Sequence, residues 1–176
     1  MTDALIVDFR QQIFNDALFT LEQARNLDPL KTSFEYWKYC TWSIVLSAIC
    51  IESYIKSHIR SMTDEIDPNI LVIYEQNTKL GFYACVRFIE NLTDKIIIND
   101  SDSDWQNIAA TITLRNDIVH FNRPNIFNSI TVVNAANGIK ACRDFIKKFH
   151  LAMDMPYINF APWIDKTKSE NYDTPK

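Results

Sequence analysis

Apolar residues recur every three or four positions along most of the chain, the period of an α-helix that buries one face. The members of the first series are Leu5, Phe9, Ile13, Ala17 and Leu21. This series ends where Asp28-Pro29 interrupts the pattern. A second helix opens at Thr32, with Glu35 at the spacing of a capping box, and extends to about Met62. Its middle is apolar on almost every side, which predicts the central helix of a bundle.

Two further helices are predicted in the middle of the chain. Asp67-Pro68 is a helix cap followed by proline at the first helical position, and it predicts a short helix through about Tyr74. Thr78 is expected to start the next helix. The apolar face of that helix consists of Leu80, Ala84, Phe88 and Leu92.

The last two helices follow an acidic loop. Ser103 or Asp104 is expected to cap the first of them, and Pro124 to end it soon after residue 120. Its seam positions are Trp105, Ile108, Ile112, Arg115 and Val119. Asn128 or Ser129 is expected to cap the final helix, whose inward face is Ala135, Ile139, Cys142, Ile146 and Phe149. The pattern predicts an all-α fold, an antiparallel helical bundle of about five to six helices.

Composition narrows the possible classes of protein. The chain has 176 residues, and we expect a single helical domain at 1–151 with its core at roughly 34–149, followed by a strap and a disordered tail at 152–176. Only two glycines are present, too few for glycine-rich phosphate loops or dinucleotide fingerprints. The net charge of −4 provides no general attraction for nucleic acid, so any such binding requires a local patch.

The cysteines and the apolar runs predict a cytoplasmic protein. The four cysteines are far apart and form no CxxC pair, which favours buried free thiols over a metal site or disulfides. The start of the chain lacks the features of a signal peptide. The most apolar run, Trp42 to Ile51, is about half the length that a bilayer requires.

The acidic loop from Asp94 to Asp104 imitates a calcium-binding loop. In the register that starts at Asp100, Trp105 occupies the sixth position, where glycine is required. Thr111 occupies the twelfth position, where a bidentate glutamate is needed. We therefore expect no metal site, and no cofactor.

Two charged residues occupy seam positions that should be apolar. Glu52 lies on the otherwise apolar stripe of the second helix that includes Ala48, Ile55 and Ile59. Arg115 lies on the seam of the helix before Pro124. A buried charge is costly unless it is paired, so the simplest arrangement joins the two across the core. This ion pair alone would be a structural feature, and it leaves His120 unexplained. His120 lies about 140° further round a regular helix than Arg115, so the two side chains of one subunit point apart unless the helix unwinds near Pro124. A symmetric dimer would bring both motifs into one cleft.

The segment from Arg115 to His120 resembles the R-x4-6-H motif of HEPN domains, which are small all-helical proteins in which asparagine often follows the arginine, as Asn116 does here. The segment from Ala48 to Glu52 is also similar to a helix of that family. The resemblance covers roughly residues 34–149.

The resemblance implies a metal-independent endoribonuclease that cleaves single-stranded RNA as a homodimer, with a role as a toxin or antiphage-defence effector and a possible antitoxin or activating partner. His120 would transfer protons, and Arg115 would neutralise the charge on the phosphorus. Asn116 would orient the imidazole or hold a phosphate oxygen, while Glu52 and Asp117 would support these groups. In one branch of the family a modified tyrosine lies two residues after the histidine, where this chain has Asn122. Control by such a modification is therefore not expected.

Basic residues outside the motif are candidates for RNA contacts. These are Arg123, Lys140, Arg143 and Lys147, of which the last three share one face of the final helix. They form either a track for phosphates or an ordinary solvated stripe. One alternative to an enzyme is a non-catalytic HEPN-like binding or adaptor module, in which Arg115 and His120 only stabilise the dimer. Another is a helical interaction protein in which the motif arose by chance.

Overall fold

The structure, a computed structural model, describes residues 9–63, 69, 72, 81–99 and 101–155. Within these ranges the chain is helical and contains no β-strand. Its elements are α1 (Phe9–Arg25), α2 (Ser33–Thr63), α3 (Phe82–Thr93), α4 (Ser103–His120), a 3-10 helix (Ile126–Ser129) and α5 (Val132–Ala152). The predicted all-helical architecture is confirmed.

Helix α2 is the centre of the bundle, as its apolar middle predicts. It contacts α1, α3, α4 and α5. Its buried side chains include Ile44, Ala48, Ile51, Ile55 and Ile59, which are completely inaccessible to solvent. Because each of the other α-helices covers part of α2, this helix has little need of a polar face.

Several helix starts differ from the predicted positions. The cap of α4 is Asp102, whose side chain accepts a hydrogen bond from the Asp104 amide, and not Ser103 or Asp104. The cap of α5 is Thr131, which accepts from the Asn134 amide. Asn128 and Ser129, predicted to cap α5, belong instead to the 3-10 helix, so that prediction was wrong.

The start of α3 was also predicted too early. This helix begins at Phe82 after the extended residue Gly81, and Thr78 lies outside the described residues. The short helix predicted from Asp67 to Tyr74 lies outside them as well, apart from helical positions at 69 and 72, and so do Leu5 and most of 152–176.

The four cysteines are buried free thiols, as predicted. Burial raises the pKa of Cys40 to about 11 and raises that of Cys142 well above its usual value. Both groups therefore remain protonated and chemically inert at neutral pH. No helix in the described ranges is long and apolar enough to span a membrane.

Helix α4 ends at His120, as the position of Pro124 predicts. Phe121 follows in the left-handed conformation, with φ 51°. The carbonyl oxygen of Asp117 accepts hydrogen bonds from the amides of Phe121 and Asn122. The first bond is that of an αL C-cap and the second is one of the two bonds of a Schellman motif, and both satisfy a carbonyl in the last turn of the helix. Together they hold His120 as the final residue of a regular helix.

Gly138 allows α5 to approach α2 and α4 closely. A Cβ atom at this position would lie 3.3 Å from both the Cβ and the Oγ of Ser47 and 3.6 Å from Cγ2 of Thr111.

Gly138→Val should destabilise the fold by about 1–3 kcal/mol through overpacking, measured by urea unfolding. Gly81→Val is the control and should cost less, because no atom lies within 4 Å of a Cβ there. Equal losses at the two positions would contradict the close contact.

Candidate active site at the end of helix α4

The predicted pair of buried charges is present. The Nη2 atom of Arg115 on α4 forms an ion pair with Oε2 of Glu52 on α2. The two side chains are only 18% and 19% exposed, so the pair is largely shielded from water. Shielding makes each charge dependent on the other, because an unpaired charge in this position would lose most of its hydration. The pair therefore aligns α4 with α2.

Asn116 holds a second edge of the same guanidinium group. Its Oδ1 atom accepts a hydrogen bond of 2.7 Å from Nη1 of Arg115. The family resemblance implied that Asn116 orients the imidazole of His120 or holds a phosphate oxygen, whereas in the structure its amide oxygen faces Arg115. The Nε atom of Arg115 is buried without a hydrogen-bond partner. Arg115 is thus held by its two terminal nitrogens, with one N–H unsatisfied.

His120 lies apart from Arg115 in the single chain. Helix α4 continues without interruption to His120, so the two side chains leave the helix about 140° apart. His120 is exposed. A single copy therefore presents a fixed guanidinium on one side of the helix end and an accessible imidazole on another.

Asp117 is buried beneath the turn that follows His120. The Nε atom of Arg123 lies 2.8 Å from Oδ2 of Asp117. That oxygen has no partner with hydrogen-bond geometry, so the contact is an ion pair only. The Arg123 side chain is nevertheless 61% exposed, so it remains available to a ligand. Asp117 supports the turn both through its carbonyl oxygen and through this ion pair.

The basic residues of α5 do not form an exposed row, which contradicts a continuous phosphate track. Arg143 is buried, and Lys140 pairs with Asp144 at 2.7 Å and with Asp104 at 3.5 Å. Lys147 is exposed. The reason is that α5 packs against α1, α2 and α4, so more than one of its faces is covered. A spacing of three or four residues places side chains near one another but does not determine which face of the helix meets solvent.

Comparisons of the chain with family models, with curated proteins and with solved structures find no match. The function must therefore be argued from the residues of this chain. In the described residues, no group of three or more histidine, cysteine or acidic side chains is arranged to hold a metal ion.

A second polar cluster was missed at the level of sequence. Tyr54 on α2 and His150 on α5 are both buried, and the tyrosine hydroxyl forms a hydrogen bond with Nε2 of the histidine. Arg10 on α1 lies over the Tyr54 ring, 5.5 Å from its centroid. His58, one turn after Tyr54, packs edge-on against Phe149 with ring centroids 4.7 Å apart. The only signal of this cluster in the sequence is the four-residue spacing of Tyr54 and His58, which places both side chains on one face of α2.

This cluster joins α1, α2 and α5 and does not contain a residue of the α4 motif. Burial lowers the pKa of His58, and the neighbouring charges of His150 and Arg10 lower it further. The folded state therefore favours the neutral imidazole at this position.

The ion pair of α4 can be tested by mutation. Arg115→Ala should destabilise the fold by about 1–3 kcal/mol, because it leaves Glu52 shielded without a partner. The double variant Arg115→Met with Glu52→Leu should recover much of that loss, because no charge remains in the seam. Urea unfolding of Arg115→Met, Glu52→Leu and the double variant measures the coupling between the two residues. Strictly additive losses would mean that the two residues do not depend on each other.

The pKa of His58 predicts a pH dependence of stability. Because the folded pKa lies below the unfolded value of 6.5, the unfolded chain takes up the proton first as pH falls. The stabilising contribution is complete above 6.5 and is lost as pH decreases through the lowered folded pKa. The urea midpoint should therefore fall from pH 7.5 to pH 5.5, and less steeply in His58→Gln. An unchanged slope in that variant would contradict the assignment.

Proposed function

We propose that the chain is a metal-independent endoribonuclease that cleaves single-stranded RNA at a site completed by two copies of the protein. The observation that carries the proposal is the arrangement at the end of α4. Arg115 is positioned by Glu52 and Asn116, while His120 is exposed on the last helical turn. An oriented cation and an accessible imidazole are the groups that cleavage of RNA by its own 2′-hydroxyl requires.

The proposed reaction needs two proton transfers. One imidazole removes the proton of the 2′-hydroxyl as the O2′–P bond forms, and another donates a proton to the 5′-oxygen as the P–O5′ bond breaks. The products are a 2′,3′-cyclic phosphate and a free 5′-hydroxyl. His120 and His120 of the partner subunit would perform these transfers. Arg115 would stabilise the additional negative charge on the phosphorane-like transition state with its planar N–H groups.

A dimer is required because a single copy holds the two groups about 140° apart on the helix. A two-fold axis beside the end of α4 would bring both copies of the motif to one cleft. Exposed apolar side chains in this part of the chain support such a pairing. Val119 precedes His120, and Trp37 and Phe127 pack together on the surface with ring centroids 5.4 Å apart. Aromatic residues of this kind are enriched in protein interfaces.

The resemblance to HEPN domains supports a biological role as a toxin or antiphage-defence effector. Such an enzyme requires control in its own cell, so an antitoxin or activating partner belongs to the proposal. Asn122 has no phenolic hydroxyl to modify, so control would act through binding rather than through a modified side chain at this position.

The second candidate function is a non-catalytic binding or adaptor module. The observation in its favour is that Glu52 neutralises Arg115 and that Asn116 occupies another of its nitrogens. In that case the guanidinium serves only to align helices and contributes nothing to a phosphate site.

Cleavage of unstructured RNA in the presence of EDTA distinguishes the two functions. Wild-type protein should cut the RNA and leave 2′,3′-cyclic phosphate ends, whereas His120→Ala should lose at least about a hundredfold in rate. The exposed cation Lys31 provides a control, and Lys31→Ala should cleave like the wild type.

The unfolding midpoint of each variant should also be measured. It should match that of the wild type for His120→Ala, because His120 is exposed and contributes little packing. The specific activity should also fall on dilution as the dimer dissociates, which sedimentation can follow in parallel. Absence of cleavage by a folded dimer would support the adaptor function instead.

A further inference from the structure

Phe121 has an unusual conformation for its residue type. It directly follows His120, its φ is 51°, and its side chain is 75% exposed. In the described ranges, the other residues with positive φ are Asp94, which directly follows α3, and Asp154, which is the second residue after α5. Phe121 is therefore the bulky member of this group.

The choice of phenylalanine is unfavourable in two respects. In the left-handed region, Cβ crowds the following carbonyl, so glycine or a short polar side chain is usual at the end of a helix. An exposed aromatic ring also leaves apolar surface in water. No ring–ring or cation–π contact of Phe121 exists in the part of the chain that the structure describes. Packing within the described chain thus gives no reason for the ring.

The turn nevertheless holds Phe121 firmly. Its amide donates to the carbonyl oxygen of Asp117, as does the amide of Asn122. The Asp117 carboxylate pairs in turn with Arg123. Contacts on both sides of Phe121 therefore determine its backbone, and a strained residue that its surroundings hold in place is a frequent feature of functional sites.

We propose that Phe121 is a stacking platform for an unpaired nucleobase next to the scissile phosphate, and that it gives the site its preference for single-stranded RNA. This inference rests on the proposed ribonuclease function. An aromatic face stacks on any base, but only a base that is free of its own helix can reach it. The platform would therefore select RNA by strandedness and not by sequence.

The neighbours of the ring favour a nucleotide over a protein partner. Phe121 lies between His120 and Asn122 in the chain, and Arg123, which is largely exposed, is the next residue. An imidazole, a carboxamide and a guanidinium can hydrogen-bond to ribose and phosphate oxygens on either side of a stacked base. The buried centre of a protein interface, by contrast, is depleted of charged residues.

The test compares Phe121→Leu with Phe121→Trp. Leucine keeps an apolar side chain and the same backbone strain but has no ring, whereas tryptophan keeps a stacking face. The probe is a 2′-O-methyl RNA oligonucleotide, which cannot be cleaved, used as a single strand and as a duplex in fluorescence anisotropy. Phe121→Leu should bind the single strand about tenfold more weakly than the wild type does, and it should lose the preference for the single strand over the duplex. Phe121→Trp should bind like the wild type.

Phe19, an exposed ring on α1, provides the control, and Phe19→Leu should leave binding unchanged. Sedimentation of each variant separates a base contact from a contact between copies. If Phe121→Leu dissociates the dimer, or binds and discriminates like the wild type, the stacking role is overturned while His120-dependent cleavage still stands. If wild-type protein neither binds nor cleaves RNA, the ribonuclease proposal fails, and the stacking role with it.

Discussion

The ion pair between Glu52 and Arg115 is the constraint on which the rest of the candidate site depends. Each residue occupies a seam position, and each is largely shielded from water. The desolvation of two charges is recovered only when they meet in good geometry, so the pair tolerates one alignment of α4 with α2. Because α2 also contacts α1, α3 and α5, this alignment relates the end of α4 to the whole bundle.

The residues at the end of the aligned helix α4 are accessible to solvent. Asp117 ends the helix through its carbonyl oxygen and supports the next turn through Arg123. As a consequence, His120 and Phe121 are exposed beside each other on a turn that is determined by several contacts. Exposed functional groups on a rigid support are common in binding and catalytic sites, since the supporting contacts restrict motion without covering the reactive atoms.

The cluster around Tyr54 and His150 has a different position and role. It joins α1, α2 and α5, whereas the candidate site depends on α2 and α4. A hydrogen bond between two buried polar side chains contributes specificity of packing, because any misaligned arrangement would leave both groups unsatisfied. The Glu52–Arg115 ion pair therefore fixes α4 against α2, and the Tyr54–His150 hydrogen bond fixes α5 against α2 at a separate place in the core.

The sequence by itself determined the helical class, the central position of α2, the pairing of Glu52 with Arg115 and the end of α4 near Pro124. These features follow from local periodicity, from proline geometry and from the cost of an unpaired charge. Only the tertiary structure decided that Arg143 is buried, that Tyr54 meets His150, that Asn116 faces Arg115, and that Phe121 adopts a left-handed conformation. The first two depend on how faces that are distant in sequence pack together. The contact of Asn116 depends on where the pair with Glu52 holds the guanidinium group, and the conformation of Phe121 depends on a turn stabilised from both sides. Helical spacing reports which residues share a face, but the neighbour that covers that face is determined by the three-dimensional packing.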